Sequence, residues 1–204
     1  MELFPEFEDK TNDNPTAPLA DRMRPSDWNG LLGHAKLIGE GKPLRKLITG
    51  KSSFSFILWG PPGSGKTTIA RIAARVTESE FHEISAVNAG VADIRKVINQ
   101  ARKIWRSCKH RSILFIDEIH RFNKSQQDAV LPQIENGTLQ LIGSTTENPS
   151  FEVIPALRSR CQIFRLESLS QEDVRCLLER GLADKEYGFG KESLAIDSAA
   201  KDLI

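Results

Sequence analysis

The eight residues "GPPGSGKT", 60 to 67, close the apolar run "FSFILWG" (54–60) and open "KTTIARIAARV" (66–76). The run is short, apolar and ends in glycine, as a buried parallel strand does. The segment that follows repeats Ile69, Ile72, Ala73 and Val76 at helical spacing. Between them the octet matches G-x-x-x-x-G-K-[ST] in full, in the strand–loop–helix setting that the pattern needs. Its glycines let the backbone curl so that successive N–H groups converge, and the helix N-terminus adds partial positive charge behind them. Such a nest holds the oxygens of a polyphosphate. Lys66 is placed to reach the β- and γ-phosphates, and the Thr67 hydroxyl to ligate Mg²⁺. The candidate contact residues are Gly60, Pro61, Pro62, Gly63, Ser64, Gly65, Lys66, Thr67 and Thr68.

Outward from this loop the chain alternates strand and helix. "FHEIS", "SILFID", "TLQLIGST" and "QIFRL" read as further strands. A helix capped by Asp93 carries the stripe Ile94, Val97, Ile98, Ala101, Ile104 and Trp105. "KSQQDAVLPQIENG" reads as another helix, with Pro132 as its candidate kink and Gly137 as its end. The expected fold class is α/β, a parallel sheet with helices on both faces. After Leu169 strands give way to "SQEDVRCLLERGL", a helix with a serine N-cap and Val174, Leu177 and Leu178 inward, and then "SLAIDSAAKDLI" begins another. The expected organisation is a polar tail over 1–17, a nucleotide-binding core over 18–168 and the start of a helical lid over 169–204. Leu3, Phe4 and Phe7 in the tail are either a stray apolar start or a short docking motif.

A second motif belongs with the first. "ILFIDEIH" (113–120) ends an apolar strand in two adjacent acids, at the sheet edge where open α/β sheets bind ligands. Asp117 is the candidate holder of magnesium and Glu118 the candidate activator of water; the bland alternative is that both cap a turn. At the end of the fourth strand, in "STTENPSF", Thr146 is the first candidate to touch the γ-phosphate or orient water and Asn148 the second. Capping the turn before Pro149 is their structural alternative.

Composition excludes several other classes. The chain has 204 residues, 39% hydrophobic and 27% charged, with a formal net charge of +1, so any nucleic-acid binding must come from a local patch. Such a patch exists: from Ile94 to Ile116 there is no acid, while Arg95, Lys96, Arg102, Lys103, Arg106, Lys109 and Arg111 all occur. This is either a solvated helix face or a surface for nucleic-acid phosphates. Three cysteines without CxxC spacing argue against a disulfide framework or zinc site and for a reducing cytoplasm. Apolar runs are strand-sized, and "MELFPEFEDK" has no signal-peptide pattern, so no membrane partner is expected.

"GPPGSGKTT", "FIDEIHRFNKSQQDAVLP", "LIGSTTENPSF" and "SRC", preceded by "PLADRMRP", resemble the AAA+ ATPases. The chain is more narrowly similar to the replication-associated recombination protein A family, from Pro18 to at least Leu182. The resemblance implies a DNA-dependent ATPase of replication-fork maintenance, recombination and repair that uses ATP and Mg²⁺. It implies homo-oligomers, partners in DNA, single-strand-binding protein and a sliding clamp, and a bacterial cytoplasmic, nucleoid-associated location. In "ALRSRCQIF" (156–164) it makes Arg160 a finger acting on a neighbouring subunit's nucleotide, and it assigns nothing to Arg158. His34 stands where the family commonly has glutamine, and there its backbone is expected to help hold the base. The family's lid arginine and oligomerisation region would lie beyond Ile204. A clamp-loader-type subunit and a nucleotide-switched scaffold are the alternative readings.

Overall fold

The computed structural model describes residues 16–50, 53–192, 194 and 196–197. The tail with Leu3, Phe4 and Phe7, and most of "SLAIDSAAKDLI", lie outside the described residues; Leu194 and residues 196–197 are not helical. In chain order the elements are α1 (Leu19–Arg22), α2 (Ala35–Ile38), α3 (Pro43–Thr49), β1 (Phe56–Trp59), α4 (Lys66–Val76), β2 (Glu80–Ser85) and α5 (Val91–Cys108). There follow β3 (Ser112–Asp117), a 3₁₀ turn (Ile119–Arg121), α6 (Lys124–Glu135), β4 (Leu139–Thr145), α7 (Pro149–Glu152), α8 (Pro155–Arg158), β5 (Gln162–Arg165) and α9 (Gln171–Ala183).

Among the described residues the strands form one parallel sheet in the order β2–β3–β4–β1–β5. This is the expected α/β class, with β1 in the interior because its apolar side chains are buried on both faces. Ile57 joins Ile84, Leu114, Ile116, Leu139 and Leu141 under α5 and α6. Phe56 and Leu58 join Ile113, Phe115, Ile142 and Phe164 under α3 and α4. Fully burying side chains of this size stabilises by about 1.5–3 kcal/mol each against leaving them in water. The layers thus fix β1 and β3 with their C-terminal ends on one edge of the sheet.

Local signals account for the helix ends. Asn123 accepts from the Gln126 N–H while the Gln126 side chain accepts from the Asn123 N–H, a reciprocal cap that starts α6. Helix α6 runs through Pro132 and stops before Gly137, whose φ of 71° suits glycine. Ser170 and Asp173 cap α9 in the same reciprocal way. Asp93 is not the first cap of α5. That position is Gly90, and Asp93 sits three residues on, where its carboxylate accepts from the Gly90 N–H at 2.8 Å. Val76, the last residue of α4, is 42% exposed and Leu177 is 38% exposed, so both face solvent rather than the core. The first part of the α5 stripe is borne out, with Ile94, Ile98 and Ala101 buried and Val97 packed against the same cluster, while Ile104 and Trp105 are only partly buried.

Contacts divide the chain into two compact units, residues 26–168 and the described residues of 16–25 with 169–197. In the second, Leu19 approaches Gly181 and the Arg22 guanidinium lies 5.9 Å from the Phe189 ring centre. Among the described residues no helix is long and apolar enough to cross a membrane.

Candidate functional site

The loop between β1 and α4 takes its shape from two left-handed glycines, Gly63 at φ 73° and Gly65 at φ 86°, the latter starting α4. A Cβ built on Gly63 would meet nothing within 4 Å, so the backbone there borders open space. Lys66 is 8% exposed, and its ammonium donates to the Gly60 and Pro61 carbonyl oxygens, both at 2.8 Å. Burial pushes the Lys66 pKa down, while the carboxylates of Glu118 and Asp117 pull it back up. The first and second motifs therefore meet in space.

His34 braces this loop from the segment before α2. Its Nε2 donates to the Ser64 carbonyl oxygen at 2.9 Å, from a residue with left-handed backbone at φ 53°. Sequence reasoning gives His34 a backbone role; the structure uses its side chain on the loop. The Ser64 hydroxyl is buried and has no hydrogen-bond partner among the described residues. An orphaned hydroxyl, two left-handed glycines and a carbonyl-bound lysine fit a loop built around a polyphosphate.

Asp117 and Glu118 stand at the C-terminal end of β3, beside β4. The Ser144 hydroxyl donates to Asp117 Oδ1 at 2.5 Å and accepts from the Glu118 N–H at 3.2 Å, tying the two acids together. Glu118 itself has a left-handed backbone, φ 55°, an uncommon conformation for a residue with a side chain and one that clusters at functional sites. The Thr146 hydroxyl donates to Glu118 Oε2 at 3.4 Å. His120 Nδ1 lies 3.1 Å from that same oxygen and 3.0 Å from the Thr145 hydroxyl. Asn148 acts elsewhere. It caps α7, its side chain accepting from the Ser150 N–H at 2.9 Å.

Among the described residues no three His, Cys, Asp or Glu side chains converge as a metal site. Thr67 and Asp117, the residues expected from the sequence to hold Mg²⁺, offer one hydroxyl and one carboxylate, a set that suits a small hard cation keeping few protein ligands.

Arg160 is 39% exposed and does not reach the phosphate loop of its own chain. Its guanidinium bonds Glu135 Oε1 at 2.5 Å, at the end of α6, and donates to the Ala156 carbonyl at 2.8 Å. Arg158 turns the other way and donates to the Ser150 carbonyl on α7. Between the two arginine branches, Gln127 is buried on α6: it donates to the Phe122 and Glu152 carbonyls and accepts from the Ile154 N–H. Cys161 is buried and its thiol is pushed up to about 12 by desolvation, so it packs as an apolar residue and is no nucleophile.

The basic run divides in two. Arg102 turns to α6 and donates to Gln133 at 3.1 Å, whereas Arg95, Lys96 and Lys103 line a shallow open hollow on α5 with Val91, Asn99 and Gln100. Sequence reasoning misses Ser144, His120, Thr145 and Glu135. The signal for Ser144 and Thr145 is their place at the end of the fourth strand; nothing in the sequence pairs Glu135 with Arg160.

Known proteins share this sequence and fold. A family profile described as "ATPase family associated with various cellular activities (AAA)" matches residues 56–169. The chain is 47% identical over 193 residues to the replication-associated recombination protein A of Escherichia coli K12, covering 95% of this chain and 43% of that protein. It is 48% identical over 187 residues to ATPase WRNIP1 of Dictyostelium discoideum, covering 92% of this chain and 21% of that one. The chain thus spans less than half the length of these curated relatives. Among solved structures, the RuvB Holliday junction branch migration motor of Thermotoga maritima superposes with a TM-score of 0.67 at 25% identity, covering 89% of this chain and 58% of that one. With a phosphate loop, a paired-acid strand and a matching profile over more than half its length, the chain belongs to the AAA family of ATPases, and its relatives include the replication-associated recombination protein A sequences.

Proposed function

We propose that this chain is the nucleotide-binding core of an ATPase that hydrolyses ATP between copies of itself and works on DNA during replication-fork maintenance, recombination and repair. One observation carries the reading: Asp117 and Glu118, joined through Ser144, stand at the same end of the parallel sheet as the loop after β1 that seats Lys66. Each group then has a distinct role. Loop N–H groups and Lys66 bind the phosphates, the ammonium exchanging the Gly60 and Pro61 carbonyls for more negative oxygens. Thr67 and Asp117 hold Mg²⁺, which neutralises charge on the phosphate oxygens when bound. Glu118 takes the proton of the attacking water, with Thr146 in contact with it.

Arg160 serves the neighbouring copy. Its pair with Glu135 is half-exposed, and such pairs contribute only about 0–1 kcal/mol, so it is readily exchanged for a phosphoryl group. The names of the relatives support the replication and recombination setting, and the α5 cations supply the charge for DNA. Single-strand-binding protein and a sliding clamp are the protein partners proposed, in a bacterial cytoplasmic setting near the nucleoid.

The test is ATP turnover and binding by the full-length protein, with and without single-stranded and forked DNA. Wild type is expected to hydrolyse ATP, and more so with DNA. Glu118→Gln is expected to lose at least about 100-fold in turnover while still binding Mg-ATP, since a general base contributes roughly 10²–10⁴-fold. Failure of folded protein to bind ATP or ADP overturns the reading.

A further inference from the structure

We infer that His120 is a positioning residue for the hydrolytic carboxylate: its Nδ1–H holds one oxygen of Glu118 so that the other is presented to water. The inference rests on the functional reading above and assigns a residue that the reading does not use. His120 sits on the 3₁₀ turn directly after Glu118, and its side chain is 9% exposed.

The direction of the bonds follows from the partners. Thr145 is fully buried; its hydroxyl donates to the Glu147 carbonyl at 3.1 Å and accepts from the Glu147 N–H at 3.0 Å. A hydroxyl has one proton to give. With that proton on Glu147, Thr145 can only accept from His120. A carboxylate oxygen that accepts from Thr146 likewise accepts from His120. Both partners of Nδ1 are acceptors, at 3.0 and 3.1 Å, so Nδ1 carries hydrogen and shares it between them.

The consequence is positional. Glu118 Oε2 receives His120 and Thr146, and both donors converge on that one oxygen. The carboxylate springs from a left-handed backbone, and its N–H is held by Ser144. Without the imidazole, the 3.4 Å contact from Thr146 is the one among the described residues that orients the side chain, and a base about 1 Å out of place loses much of its effect. Thr145 sets the ring's tilt in turn, and β4 fixes Thr145 opposite Trp59 in register.

Asparagine and glutamine separate this role from simple packing. An asparagine amide can place an N–H near where Nδ1 stands, whereas a glutamine amide places it farther out. In the full-length protein, His120→Gln is expected to lower kcat about 10- to 100-fold, the size of effect that follows when a supporting hydrogen bond to a functional group is lost. KM for ATP, ATP affinity and melting temperature are expected to stay near wild type, and His120→Asn to recover kcat to within about threefold of wild type. Turnover by His120→Gln equal to wild type overturns the inference, as does an equal loss in both variants. A loss of ATP affinity matching the loss of kcat overturns it too. If wild type shows no turnover, the functional reading fails first and this assignment with it.

Discussion

Gly60 and Gly63 stand three positions apart in one motif and are glycine for different reasons. At Gly63 the backbone is left-handed and the surrounding space is open. At Gly60 space decides: a Cβ there would lie 2.6 Å from the Leu166 carbonyl oxygen, on the segment leaving β5. Replacing Gly60 by alanine is expected to push that segment from the loop and cost about 1–3 kcal/mol of stability, as overpacking usually does. The affinity for Mg-ATP should fall as well, since relieving the clash with Leu166 displaces the loop whose N–H groups are proposed to hold the phosphates. Denaturant unfolding and calorimetry would measure the two effects; an unchanged midpoint with unchanged affinity contradicts the geometry. Alanine at Gly63 meets no neighbour and suffers only backbone strain, so its loss of stability should be the smaller of the two.

Among the elements, α5 joins two surfaces with different duties. Its apolar stripe is buried against β2, β3 and α6, which anchors the helix. Its outer face presents Arg95, Lys96 and Lys103, while Arg102 is engaged with Gln133. The charge proposed to meet DNA phosphates is therefore a subset of the basic run. Changing Arg95, Lys96 and Lys103 to alanine is expected to reduce the slope of log affinity against log salt by about 2 for single-stranded DNA, at roughly 0.7 per phosphate contact. Changing Arg102 alone should leave that slope nearly as it was. A slope that is untouched by the triple change removes this face of α5 from DNA binding. Helix α6 shows a complementary arrangement: Gln126 donates to the Ala89 carbonyl before α5, and Gln127 holds the segment that carries the arginines. Buried amides with both ends satisfied fix such connections more tightly than apolar contact does.

At the scale of the whole molecule, the proposed reading has one chain carry half of two sites. Ser144 joins Asp117 to Glu118 at the end of the sheet, whereas Arg160 is tied to Glu135 and the Ala156 carbonyl. If the active site is completed by a neighbour, Lys66→Ala and Arg160→Ala proteins should each be inactive alone and recover part of their turnover on mixing. Each mixed contact would pair an intact loop with an intact finger. Mixtures no more active than the separate proteins would place Arg160 outside the reaction, and sedimentation of the same samples would show whether they assemble.

Much of this was legible in the residues. "GPPGSGKT" after an apolar run, and "ILFID" ending in two acids, prescribe a strand, a loop and a parallel sheet, because local backbone freedom and apolar patterning are written position by position. Thr146 could be named as well, since strand ends in such sheets share one edge. Register could not. That Ser144 bridges Asp117 to the Glu118 backbone, that His120 turns to Thr145 rather than to solvent, and that Arg160 rests on Glu135 all depend on packing between distant segments. The sequence by itself determined which chemical groups the protein owns and which strands carry them. The tertiary structure alone decided which of those groups touch, because hydrogen bonds reach only about 3 Å and only the folded sheet brings their atoms that close.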